Sequence, residues 1–225
     1  MRDCSAIDLY HGILPSHTKI DIWEEYARRV LSWLEPSSYS SLIVADKPDL
    51  VDVSSSLGVE VTRSFSERSE EIDSVYAKYC IETNLKRRKR LEERLSQLNA
   101  RVNEYMCLHP TGHDNFSLIL SSFEKKLRLL NRKEYRVFDH YHLFIMSDIL
   151  ANETMLEDAL SQFNKTTASY EVAFERVIVA VPGYIYTFDL RDIGYSLTEL
   201  DSTKQYELAM EARQCVLEAE QALRD

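Results

Sequence analysis

Three short β-type segments crowd into residues 42–62, and helical periodicity of a dozen or more residues flanks them on both sides. That juxtaposition constrains the fold most. On the N-terminal side, Ile22, Trp23, Tyr26, Val30, Leu31 and Leu34 recur at helical spacing behind the capping signal Thr18-Lys19-Ile20-Asp21, and Pro36 ends the run. A Ser-rich connection leads to the apolar run Leu42-Ile43-Val44-Ala45. Asp49–Val53 and Leu57–Thr62 then read as two strands joined by a tight turn over Ser54-Ser55-Ser56. The whole chain has only five Gly and five Pro in 225 residues, fewer than an all-β fold with its many turns would need.

Downstream, the segment from 66 to about 105 reads as helical with an acidic start. Its second half carries Leu91, Leu95, Leu98, Val102 and Tyr105 as a heptad-like stripe that offers a homodimer contact. His109-Pro110-Thr111-Gly112-His113 breaks it. A further amphipathic helix follows, with Phe116, Ile119, Phe123, Leu127 and Leu130 inward. His142–Met146 reads as a buried strand and Glu153–Asn164 as a helix. Val177–Val181 and Tyr184–Phe188 read as a hairpin turned by Pro182-Gly183. Ser196-Leu197-Thr198-Glu199 has the form of a capping box and predicts a terminal helix beginning there. The expectation is therefore an α/β fold in which helices flank a central mixed sheet. It forms one domain over residues 1–225, with 66–110 as a helical arm or insertion that can project as a hairpin.

The net charge of −10 argues against indiscriminate polyanion binding, yet the basic residues are clustered. Lys86–Arg90 is one basic run, most simply a solvated helix face, and the stretch from Lys125 to Arg136 is another. No apolar stretch approaches the roughly 20 residues that span a bilayer, and the N-terminus lacks the apolar core of a signal peptide. A cytoplasmic protein with no membrane partner is the expectation, its scattered cysteines free thiols. Cys107 with His109 and His113 lacks the spacing of a structural zinc site. His140 and His142 read as core or edge histidines. No P-loop, GxGxxG, GxSxG or HExxH motif is present.

Chemistry concentrates in the first hairpin. If its turn centres on Ser54-Ser55, Asp49 and Glu60 face each other, with Cβ atoms roughly 4.5–5.5 Å apart. Two carboxylates held so close repel unless a cation lies between them, which suits a hard divalent ion such as Mg²⁺ or Mn²⁺. A three-residue turn would shift the register by one.

Pro48-Asp49, a short hairpin and Glu60-Val61-Thr62 in a strand together resemble the PD-(D/E)XK, or restriction endonuclease-like, superfamily. The likeness is to its small bacterial or phage-type members with the pattern KPDL…GVEVT, and it covers roughly residues 20–65 and 116–147. It implies a restriction endonuclease-like sheet and a metal-dependent phosphodiesterase acting on DNA rather than RNA. Asp49, Glu60 and the Val61 carbonyl would hold Mg²⁺ or Mn²⁺. The family's lysine follows the acid by two residues, where this chain has Thr62. Some members carry it on a neighbouring helix, which makes Lys126 and Lys125 the candidates, with Lys78 behind them. Acids from the first helix join some sites, so Glu24 or Glu25 is implied as a further member. Thr62 and the acidic balance leave an alternative open: a non-catalytic relative that binds nucleic acid or protein.

Overall fold

A computed structural model of the chain describes residues 14, 18–102, 107–108, 115–132 and 137–222. Two compact units result: Lys19–Ser64 with His113–Asp225, and Met1–Thr18 with Phe65–Gly112. In chain order the elements are α1 (Ile22–Leu34), α2 (Pro36–Tyr39), β1 (Ile43–Val44), β2 (Leu50–Asp52), β3 (Leu57–Ser64), α3 (Glu67–Ile81), α4 (Leu85–Gln97), β4 (Arg101–Val102) and β5 (Cys107–Leu108). There follow α5 (Ser117–Leu130), β6 (His140–Ser147), α6 (Glu153–Thr167), β7 (Arg176–Val181), β8 (Gly183–Asp189), β9 (Gly194–Leu200) and α7 (Ser202–Gln221).

The larger unit is built on a seven-stranded mixed sheet in the order β1-β2-β3-β6-β7-β8-β9. The central pairs β3–β6 and β6–β7 are parallel, and the outer pairs are antiparallel. Strand β6 lies between parallel neighbours and is buried from Tyr141 through Ser147, as expected when both faces of a strand are covered. On one face, Ile119, Phe123, Leu127 and Leu130 of α5 and Leu156, Ala159 and Phe163 of α6 join a core with Leu143, Ile145, Val177 and Val179. Each such side chain contributes about 1.5–3 kcal/mol by leaving water. Helix α1 packs against α7 and touches β3. Asp21 caps α1, its carboxylate accepting from the Trp23 and Glu24 N–H groups at 2.7 and 3.3 Å.

In the smaller unit the helical segment expected over 66–105 is a hairpin of two helices, the alternative left open for this arm, and not one continuous helix. Helix α3 ends at Ile81, and Asn84 opens α4 by accepting from the Lys86 and Arg87 N–H groups at 3.1 and 3.2 Å. Local propensity loses to burial here. By breaking and folding back, the chain lets Leu95 meet Ile72 and Val75, with Leu91, Leu98 and Val102 packed around them. The stripe offered for dimerisation is thus spent inside the unit as far as it is described, Tyr105 lying outside the described residues.

The terminal helix also starts later than expected. Ser196–Glu199 belongs to β9, which pairs with β8 throughout, and the cap is Asp201, whose carboxylate accepts from Thr203 and Lys204 N–H at 2.9 and 3.0 Å. A capping box needs its backbone free to enter a helix, and here the sheet has claimed it. Pro182-Gly183 turns the β7–β8 hairpin as read: Val181 pairs with Tyr184, and Gly183 has φ 86°, open to glycine at no steric cost. Among the described residues, no helix is long and apolar enough to cross a membrane.

Candidate functional site

The β2–β3 hairpin closes on Asp52. Its carboxylate accepts from the Ser54 N–H at 2.8 Å and from the Ser54 and Ser55 hydroxyls at 2.6 and 2.7 Å. These bonds hold the turn in the two-residue register, with Leu50 opposite Val59, Val51 opposite Gly58 and Asp52 opposite Leu57. One step beyond the paired residues, Asp49 therefore stands level with Glu60. Pro48 lies over Gly58, where an added Cβ would meet the proline ring at 2.5 Å and the Tyr141 ring at 3.3 Å. Glycine at 58 is what lets Pro48 approach the strand and set Asp49 in place. The Asp49 carboxylate is pinned further by the Val61 N–H, which donates to it at 2.7 Å.

Lys126 reaches this pair from α5, a helix far away in sequence. Its ammonium donates to Asp49 Oδ2 at 3.0 Å and to Glu60 Oε2 at 2.5 Å. Glu60 is almost wholly buried, at 1% side-chain exposure, against 22% for Asp49 and 18% for Lys126. Burial works to lower the lysine pKa, but the charges of Glu60 and Asp49 more than offset it and leave it above the ordinary lysine value. The ammonium therefore stays charged over the whole physiological range. On α1, Glu24 faces the same field. Burial first, then the nearby Asp49 and Asp21 carboxylates, push its carboxyl up to about 7.

The other residues singled out in the sequence lie elsewhere. Lys125 is exposed on the outer side of α5, with Arg128 and Arg132 also exposed. Lys78 is on α3 in the smaller unit. Glu25 turns away from the hairpin: it is buried and takes bonds from Arg28 and Arg29, and Arg29 bridges on to Glu211 of α7. Burial alone would raise the Glu25 carboxyl, but the two guanidiniums bring it below the usual range. Its place is structural. Thr62, partly buried in β3, carries no charge, and the cation bonded to Asp49 and Glu60 is Lys126. His109 and His113 lie outside the described residues, as do 133–136 of the basic stretch.

Sequence reasoning gave too little weight to a polar cleft of about 580 Å³, lined in part by Glu35, His140, His142, Arg176, Asp189 and Arg191. Buried His142 bonds through Nδ1 to the Tyr39 hydroxyl at 2.9 Å, and burial, with Arg176 next, pushes its pKa down to about 3. Arg176 ties Glu35 at 2.8 Å to Asp189 at 3.2 Å, while Glu175 receives both His140 and Arg191. The signal available beforehand was alternation, which puts His140 and His142 on one face of β6.

Asp49, Glu60 and the Val61 carbonyl are hard oxygen donors of the kind that Mg²⁺ or Mn²⁺ prefers. Among the described residues, no cluster of three or more His, Cys, Asp or Glu makes a ready-made cage. The donor set fits an ion that keeps several of its waters, and after burial it is the Asp49 charge that does most to raise the nearby Glu24 carboxyl. Compared with known proteins, the chain matches no family model, no curated protein and no solved structure.

Proposed function

We propose that the chain is a metal-dependent phosphodiesterase of the PD-(D/E)XK type, acting on DNA, with a restriction endonuclease-like sheet and a lysine displaced onto a helix. The observation that carries this reading is the Lys126 ammonium held within hydrogen-bond distance of both Asp49 and Glu60.

In this reading Asp49, Glu60 and the Val61 carbonyl hold Mg²⁺ or Mn²⁺. When bound, the ion supplies a more acidic water and neutralises charge developing on the phosphate. Lys126 keeps its proton and presents its ammonium to a phosphate oxygen as negative charge builds there. Glu24, titrating near 7, can take up and release a proton at its carboxylate at neutral pH. The exposed Lys125 and Arg128 on α5, with Arg132 just past its end, supply backbone contacts that position DNA without reading its sequence.

The test is nicking of supercoiled plasmid by purified protein with Mg²⁺ or Mn²⁺, and with EDTA as control. Wild type is expected to nick, while Asp49→Ala, Glu60→Gln and Lys126→Met each lose about 10²-fold or more, the scale of one transition-state charge contact. Wild type that leaves the plasmid intact, or variants that cut as well as wild type, would overturn the proposal.

A further inference from the structure

The far end of the sheet carries a feature that the proposed active site does not use. Strand β9 closes the sheet order, and it pairs with β8 without a break from Gly183–Leu200 to Asp189–Gly194. Its outer edge has none of the devices that usually discourage pairing. There is no proline, no lysine and no bulge, and Glu199 is its sole charged residue. By contrast β1, at the opposite end of the sheet, is only two residues long.

Apolar surface lies beside this edge. Leu197 is 55% exposed, Tyr184 39% and Leu150 60%, and with Tyr186 and Tyr195 they line a cleft of about 490 Å³ on one face of the strand. On the other face, Ser196 and Thr198 border a second cleft of about 420 Å³. A strand added to β9 would find room for its side chains on both sides.

We propose that β9 is a homodimer edge, pairing antiparallel with β9 of a second copy about a two-fold axis through Leu197. The sequence Gly194-Tyr195-Ser196-Leu197-Thr198-Glu199-Leu200 complements itself in that register. Leu197 faces the partner's Leu197, Tyr195 faces the partner's Glu199, and Ser196 faces the partner's Thr198. No two like charges oppose each other. The apolar residues meet at the axis, the hydroxyl residues form cross-strand pairs, and both Glu199 carboxylates lie off the axis against a tyrosine. The isologous contact continues the sheet across the axis and covers the exposed Leu197 and Tyr184 surface.

Sedimentation velocity of the full chain over a concentration series tests this, with Leu197→Lys and Leu197→Cys beside wild type. Wild type is expected to dimerise reversibly. Leu197→Lys sets two ammonium groups against each other at the axis and is expected to weaken the dimer about tenfold or more, with an unchanged unfolding midpoint at concentrations where wild type is monomeric, because the position is exposed. Under oxidised glutathione, Leu197→Cys is expected to form a covalent dimer faster than wild type, which reports background from the native cysteines. A wild type that stays monomeric throughout overturns the proposal, and that includes the case in which the edge takes a foreign extended peptide instead. A dimer indifferent to Leu197→Lys overturns it too, as does a Leu197→Cys protein that cross-links no faster than wild type.

Discussion

Replacing Lys126 by Met keeps the length of the side chain and removes its charge from between two carboxylates. Glu60, at 1% exposure, is then left ionised without the ammonium bonded to it at 2.5 Å. Breaking a buried ion pair by deleting one partner costs about 3–5 kcal/mol. Asp49 is 22% exposed and keeps the Val61 N–H, so the burden falls mainly on Glu60, and the lower end, about 3 kcal/mol, is expected. Urea unfolding at neutral pH measures it, with the exposed Lys125→Met as the control expected within about 0.5 kcal/mol of wild type. The pH dependence has a definite sign. In wild type the pair contributes below the free lysine value of 10.5 and is lost only as pH rises through the still higher folded value. If the pair is also a cation site, Mg²⁺ should stabilise the variant more than it stabilises wild type. A Lys126→Met protein as stable as Lys125→Met would refute the reasoning.

Two further outcomes follow from the same geometry. Gly58→Ala puts a Cβ 2.5 Å from the Pro48 ring, so unfolding should show a loss of about 1–3 kcal/mol, and nicking should fall because Asp49 moves with Pro48. Glu24 binds a proton more tightly folded, at about 7, than unfolded, at 4.5, so its contribution is fully present below 4.5 and is lost as pH rises through 7. Glu24→Gln should flatten the stability profile across that window, and an unchanged slope would remove Glu24 from the field of the site.

The hairpin was readable with its register open between two turn lengths, and local chemistry decides between them. Asp52 and the serines fix the turn within a few residues of one another, and the alternation of Val59, Glu60 and Val61 then decides which way each side chain points. Helix α1 was equally legible, since Asp21 caps it and its apolar positions recur at one spacing. One element left open and one misread share a cause. Residues 66–105 have helical propensity throughout, and Ser196–Glu199 has the form of a cap. Whether a segment continues as a helix or joins a sheet was settled by distant partners, Ile72 for Leu95 and the β8 backbone for β9.

The site divides along the same line. By itself the sequence determined that two carboxylates flank one short hairpin, with Thr62 rather than a lysine beside Glu60. Their shared face waited on the turn register that Asp52 and the serines set. Only the tertiary structure chose Lys126 over Lys125 and Glu24 over Glu25. Neighbours on a helix point about 100° apart, and which of the two meets Asp49 and Glu60 depends on how α5 and α1 are set against the sheet. That orientation comes from burying Phe123 and Leu127 on one helix and Tyr26, Val30 and Leu31 on the other, a packing condition that neither pair of neighbouring residues records.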